Sequence, residues 1–229
     1  MTDAVVRIVD DVAPAFAETV VESFLHRVEE GFTLMLSGGP TARHCYERLA
    51  ETPSPAIDWS VVNVLMGDER CVPPDDPDAN QRLVREALLE RVPPVASFHP
   101  MDCDDVEGYD RLLAWIPALD LVHLGLGPDG HTASLFPGSP DLDAPRGRLV
   151  LTTRDPAERN PHTRMTVTFA ALARARRVVF TVAGTQKHEA WAKVAAGEDV
   201  PAARVRATEV LWLVDREASG AVTGLATTG

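Results

Sequence analysis

The sequence predicts a single α/β domain, Rossmann-like, in which a mostly parallel sheet carries helices on both faces. Three observations predict it. Apolar runs alternate with helical stretches along almost all of the 229 residues. The runs are continuous rather than alternating, as strands buried on both faces of a parallel sheet are. Four of them also end alike, in glycine followed by polar residues, which is how strands of such sheets offer ligand loops at their carboxyl ends.

Val5 to Val9 reads as the first strand. Asp10 or Asp11 is placed to cap a helix with Pro14 in its first turn. Phe16, Val20, Val21, Phe24, Leu25 and Val28 then recur at helical spacing up to a C-cap at Gly31. The strand Phe32 to Leu36 runs into Ser37-Gly38-Gly39-Pro40-Thr41, and a helix follows to about Leu49. Val61 to Met66 is a strand ending in the loop Gly67-Asp68-Glu69-Arg70. A Pro/Asp-rich loop, Pro73 to Asn80, leads to a helix carrying Leu83, Ala87 and Leu88. Phe98 to Met101 reads as a short strand and Val106 to Trp115 as a helix. Leu119 to Leu124, Leu149 to Thr153, Met165 to Phe169, Val178 to Val182 and Val210 to Val214 read as strands. An amphipathic helix with Ala190, Trp191 and Val194 precedes the last of them. No internal repeat or long linker divides the chain, so residues 1–229 form one domain, with a smaller lobe inserted around residues 136–175.

Composition narrows the function. The net charge of −12 excludes the basic footprint that nucleic acids and anionic membranes require. An anionic substrate must then be held by local cations against the overall field. No apolar run approaches the ~20 residues of a membrane-spanning helix, and Met1-Thr2-Asp3-Ala4 lacks the character of a signal peptide. Cys45, Cys71 and Cys103 are odd in number and have neither metal-ligand nor redox spacing, which fits a reducing cytoplasm. A monomer or weak homodimer is expected.

The chain is organised around Gly125 to Gly138, in which four glycines in fourteen residues follow an apolar strand. A carboxylate, Asp129, and an imidazole, His131, sit on a loop whose glycines let the backbone turn sharply, an arrangement suited to acid–base work. The competing account is a tight turn whose His caps a following helix. Ser37-Gly38-Gly39-Pro40-Thr41 has the make-up of an anion cradle, with bare backbone N–H groups, hydroxyls and a helix N-terminus. Lys187 falls in the first turn of its helix, where the macrodipole disfavours a cation. A bound phosphate explains it, and so does pairing with Glu189. Arg70, next to Asp68 and Glu69, is a phosphate contact or a structural ion pair.

Other motif readings fail. Gly125-x-Gly127-x-x-Gly130 matches the dinucleotide fingerprint, but Pro128 removes an N–H where a pyrophosphate would bind. The next strand ends in Thr152-Thr153-Arg154 rather than in a ribose-binding acid. Ser134 is not on a nucleophile elbow, and no paired His or Cys stands at metal-ligand spacing. Neither cofactor nor metal is expected.

Taken in order, Leu36-Ser37-Gly38-Gly39, Gly67-Asp68-Glu69-Arg70-Cys71-Val72-Pro73, Asp78-Ala79-Asn80, Gly125 to Gly138, Pro161-His162-Thr163-Arg164-Met165-Thr166 and Gly184 to Lys187 resemble the glucosamine-6-phosphate isomerase/6-phosphogluconolactonase family. The match runs from about residue 30 to about residue 215, and the Gly67-Asp68-Glu69-Arg70 form resembles the lactonases more than the deaminases. The resemblance implies a glucosamine-6-phosphate deaminase-like fold and hydrolysis of a sugar-phosphate lactone in the oxidative pentose phosphate pathway. On that reading His131 is the general base, oriented by Asp129. Ser37, Gly38, Gly39, Thr41, Arg70, Arg164 and Lys187 hold the phosphate, and Asp68 and Asn80 shape the sugar end. Which cation meets phosphate and which meets sugar is left open. The sequence departs from the family's Ser-Gly-Gly-Ser-Thr-Pro at Pro40 and Ala42. Pro40 has neither N–H nor hydroxyl to offer a phosphate, although proline suits a first helical position. A catalytically silent sugar-phosphate sensor is the rival of another class, and it leaves the Asp129/His131 pair unexplained.

Overall fold

The computed structural model describes residues 4–53 and 56–220. Met1 to Asp3, which carry the signal-peptide argument, and residues 221–229 of the expected domain lie outside the described residues. The elements in chain order are β1 (Val5–Val9), α1 (Val12–Leu25), β2 (Phe32–Leu36), α2 (Pro40–Ala50), β3 (Val62–Met66), β4 (Asp68–Arg70) and α3 (Asn80–Val84). β5 (Ser97–His99), α4 (Val106–Trp115), β6 (Leu119–Gly125), β7 (Val150–Thr153), β8 (Arg164–Val167) and α5 (Phe169–Leu172) come next. The chain closes with β9 (Ala175–Val182), α6 (His188–Ala195), α7 (Pro201–Arg204), β10 (Glu209–Asp215) and α8 (Arg216–Ser219).

A seven-stranded sheet in the order β1-β10-β9-β6-β2-β3-β5 forms the centre, and every pairing in it is parallel. All of residues 119–124 in β6 are buried, so both faces of the central strand are covered. The packing is aromatic on one side, where Phe180 of β9 stacks on its register partner Trp212 of β10 at 3.8 Å between centroids and Trp191 of α6 tilts against it. From β2 the chain proceeds toward β3 and β5. From β6 it proceeds the other way, toward β9 and β10. The connections therefore diverge between the neighbours β2 and β6, and a crevice opens at the carboxyl ends of such a pair. The four strands whose loops carry the motifs, β9, β6, β2 and β3, are adjacent in the sheet.

A second, three-stranded antiparallel sheet, β4-β8-β7, stands beside this edge. Here the structure corrects the expected elements. Asp68, Glu69 and Arg70 are not loop but strand, because residues 164–166, distant in sequence, pair with them. The inserted residues 136–175 thus build their small sheet with a strand from outside that range. β8 stops at Val167, where Thr168 caps α5 by accepting from the Ala171 N–H at 3.3 Å. α1 starts as expected, with Asp11 accepting from the Ala13 N–H at 2.9 Å, but it ends at Leu25 rather than running on to Gly31. Arg27 donates to the Phe24 and Glu30 carbonyls, closing the last turn and leaving Val28 outside the helix.

The cysteines also depart from expectation. Cys71 and Cys103 form a disulfide with Cα atoms 5.6 Å apart, joining the residue after β4 to the segment before α4. Their spacing gives no hint of it, because the fold alone brings the two segments together. Such bonds are rare in a reducing cytoplasm. Cys45 is free and buried, and burial pushes its thiol up to about 12. No helix among the described residues is long and apolar enough to cross a membrane.

Candidate active site

The crevice between β2 and β6 is a cavity of about 360 Å³ at the carboxyl ends of the adjacent strands. It brings together His131, Ser37, Gly38, Gly39, Thr41, Asp68, Arg70, Asn80, Arg164 and Lys187, which is every residue the sequence singled out except Asp129. Asp129 stands behind His131, one step from the cavity.

The loop after β6 is held by its own backbone. The Gly127 N–H donates to the His131 carbonyl at 2.8 Å, the Gly130 N–H to the Gly127 carbonyl at 3.0 Å, and the Thr132 hydroxyl to the Gly125 carbonyl at 2.9 Å. Two of these glycines keep space that a side chain would take. A side chain at Gly127 would place Cβ 2.1 Å from His131 Nδ1, and Gly130 has φ +87° against Val200. No α-helix follows the loop, which passes through a single 3-10 turn, Pro140–Asp143, and crosses to the second sheet. That removes the helix-cap account of His131 and the helix a dinucleotide fold would need. Asp129 Oδ1 accepts from His131 Nδ1 at 2.5 Å and from the His131 N–H at 3.1 Å. Burial acts to raise the Asp129 pKa, but the hydrogen bonds and charge of His131, together with Arg159, overcome it and hold the carboxyl at about 2. With Nδ1 committed to a carboxylate, Nε2 is the ring nitrogen left to act on a bound molecule.

Across the cavity, Asp68 is a buried hub. Its Oδ2 accepts from Ser134 Oγ at 2.8 Å and lies 3.8 Å from Arg164 Nη1, while Asn80 Nδ2 donates to the Asp68 carbonyl at 3.0 Å. Ser134 is therefore a support for Asp68 and is wholly buried. Glu69 points away from the cavity and caps α3, accepting from the Asn80 and Gln81 N–H groups at 2.6 and 2.7 Å; burial raises its pKa. Arg70 pairs with neither acid. Its guanidinium donates to the Asp78 carbonyl at 2.5 Å, and its Nε is buried without a partner. Arg164 Nε and Asn80 Oδ1 are unpartnered in the same way. Each such atom left alone costs about 1–3 kcal/mol. Gly38 makes room for this group, because a Cβ there would fall 1.7 Å from Asn80 Oδ1.

The cradle is built as its composition implies. Gly39, at φ +108°, precedes α2 with no side-chain cap, and Pro40 occupies the first helical position. The first intrahelical bond is from the Arg43 N–H to the Gly39 carbonyl at 2.9 Å. The Thr41 and Ala42 N–H groups at the cavity wall are thereby left for an anion. Lys187 directly precedes α6 and donates to the Leu126 carbonyl at 2.6 Å. Burial lowers its pKa, against the pull of Asp129. Glu189 bonds Lys193 at 2.9 Å, so the pairing that would have accounted for Lys187 is taken.

Several residues escaped the sequence reading. Tyr46, on α2, clamps Ser37. Its hydroxyl donates to the Ser37 carbonyl at 2.8 Å and accepts from the Ser37 N–H at 3.0 Å. His123 on β6 joins that hydroxyl to Thr181 on β9 through two contacts of 2.8 Å, and burial lowers its pKa to about 3, so it is a neutral structural bridge. Asn160 lines the cavity and accepts from Arg164 at 3.1 Å. Arg159 reaches Asp129. A buried His in an apolar strand was the one signal that could have exposed the bridge; the polar segment around residues 154–164 carried none.

Known proteins share this chain's sequence pattern and fold. The family described as glucosamine-6-phosphate isomerases/6-phosphogluconolactonase matches residues 7–212. The chain belongs to that family. It is 39% identical over 206 residues to a 6-phosphogluconolactonase of Synechocystis sp., covering 81% of this chain and 82% of that one. It is 35% identical over 213 residues to a 6-phosphogluconolactonase of Mycobacterium leprae, with 83% and 85% covered. Its fold superposes on the crystal structure of 6-phosphogluconolactonase from Thermotoga maritima with a TM-score of 0.81 at 29% identity, over 93% of this chain and 100% of that one.

Proposed function

We propose that this chain hydrolyses 6-phospho-D-glucono-1,5-lactone to 6-phospho-D-gluconate in the oxidative pentose phosphate pathway. The family and its named relatives support the reading. The observation that carries it is an imidazole–carboxylate pair facing a cavity lined by Arg70, Arg164 and Lys187 in a chain of net charge −12.

His131 Nε2 takes a proton from water as the water oxygen bonds to the lactone C1. The carbonyl electrons move onto oxygen, and the oxyanion is met by donors fixed in advance. The Gly127 and Gly130 N–H groups are spent on their own turn, so Arg70, which lines the cavity, is assigned that part. Collapse of the tetrahedral species breaks the bond from C1 to the ring oxygen, which takes the proton back from His131. Water is thereby added across the bond and the base is restored. Gly38, Gly39 and Thr41 hold the phosphate on the α2 N-terminus with Lys187 and Arg164, Ser37 anchors the loop, and Asp68 and Asn80 receive sugar hydroxyls. The loss of a contact at Pro40 is offset by the Thr41 and Ala42 N–H groups.

A monomer or weak homodimer acting in the cytoplasm is part of the reading. Size-exclusion chromatography tests the first point, and the thiol state of protein taken from its cells tests the second. For the activity itself, the purified chain should accelerate lactone decay above the buffer rate and release no ammonia from glucosamine 6-phosphate. Decay no faster than buffer at any enzyme concentration refutes it.

A further inference from the structure

Asp129 has two carboxylate oxygens, and the reaction as written uses one. Oδ2 accepts from Arg159 Nη2 at 2.5 Å. Arg159 comes from the segment between β7 and β8, thirty residues from its partner. Three features aim it there. Its Nε lies 3.6 Å from Asp155 Oδ2, a carboxylate with no exposed side chain. Asp155 fixes the turn by accepting from the Ala157 N–H at 2.9 Å and Asn160 Nδ2 at 2.8 Å. Glu158, the residue before, takes φ +55°, a conformation that non-glycine residues adopt only where the surroundings impose it.

We propose that Arg159 is a positioning residue for the hydrolysis: it locks the outer oxygen of Asp129 so that the inner one holds His131 in register, and it offsets the carboxylate charge. The proposal rests on the reading of His131 as the base. Its chemistry is simple. A carboxylate bound to one partner can turn about its Cβ–Cγ bond, whereas one gripped at both oxygens cannot. An unopposed carboxylate also over-stabilises the imidazolium and keeps the base protonated. The charged groups facing the pair are Arg159, Lys187 and Lys193, with Arg164 reaching from β8 across the Phe136 ring that packs on His131. All four are cationic. Arg159 is the one that touches Asp129 directly.

The sign follows. Removing Arg159 leaves Asp129 freer to favour the protonated His131, so the acid limb of kcat/KM moves to higher pH. Arg159→Ala should lower kcat on the order of tenfold and shift that limb up by about half a pH unit. KM and the melting temperature should hold, because Arg159 is half-exposed. Arg159→Lys should restore the limb. The pH profile separates this role from a merely structural one, which would lower Tm without moving the limb. In a His131→Asn background, Arg159→Ala should have no further effect on kcat. If Arg159→Ala leaves kcat and the limb unchanged while His131→Asn is crippled, the positioning role is overturned and the base stands. If His131→Asn itself turns over normally, the base reading falls and takes this proposal with it.

Discussion

Gly127→Ala isolates the placement of His131 from its chemistry. Gly127 is absent from the positive-φ positions, so its backbone accepts an alanine. The obstacle is the imidazole itself. An added Cβ would lie 2.1 Å from His131 Nδ1, 2.2 Å from Cε1 and 2.6 Å from Cγ, where Cβ contacts under 3.0 Å are essentially never seen. The ring must withdraw by on the order of 1 Å, and a displacement of that size from a reacting centre costs up to ~10²-fold. That is about 2.7 kcal/mol of barrier. It also pulls Nδ1 away from Asp129, whose 2.5 Å contact cannot survive such a movement. The His131 side chain is 19% exposed, so the ring has a way out and the fold need not give.

The assay is initial-rate lactone hydrolysis, run beside calorimetric binding of 6-phosphogluconate and a thermal melt. We expect kcat to fall by roughly 10², with product binding and melting temperature little changed. His131→Asn should lose ~10²–10⁴, and Gly127→Ala added to it should lose nothing more, since both act on one group. A Gly127→Ala enzyme with at least half of the normal kcat would refute the reasoning, because the ring could then leave its seat without consequence.

Lys187→Ala should weaken binding of 6-phosphogluconate far more than binding of gluconate; equal losses in titration would remove Lys187 from the phosphate. Tyr46→Phe strands the Ser37 N–H and carbonyl in a buried site, at a cost of about 2–3 kcal/mol. A melting temperature lower by roughly 5–10 °C is expected, and an unchanged melt would show that the clamp is dispensable. Reducing the Cys71–Cys103 bond frees a loop with a sequence separation of 32. The loss should be about 2–4 kcal/mol, read as a lower melting temperature in dithiothreitol that Cys71→Ser reproduces.

Much of this was legible in the sequence because it rests on local rules. Continuous apolar runs in alternation with helices announce a covered parallel sheet, and the sheet has that form. Glycine after a strand announces a turn at its carboxyl end, and four such turns meet at one crevice. The misses have a common cause. Asp68, Glu69 and Arg70 are polar and read as loop, yet strand β8 lies beside them and pairs with them. Cys71 and Cys103 show no motif, yet packing brings their Cα atoms within reach. α1 ends before its apolar periodicity does, because Arg27 supplies carbonyl bonds at its end that periodicity ignores.

Arg70 shows how tertiary pairing resolves what spacing leaves open. An Arg after two acids is most simply a partner for them, and spacing alone leaves that open against a phosphate contact. In the fold each acid is already engaged elsewhere: Asp68 with Ser134 and Arg164, and Glu69 with the amides that open α3. β4 presents Asp68 and Arg70 on the cavity wall while Glu69, between them, faces inward, as the alternation of a strand requires. The strand that the sequence hid is therefore what frees the guanidinium. Its Nε stays buried and unpaired, as do Arg164 Nε and Asn80 Oδ1, and folded proteins keep few such atoms without a water, an ion or a ligand to meet them.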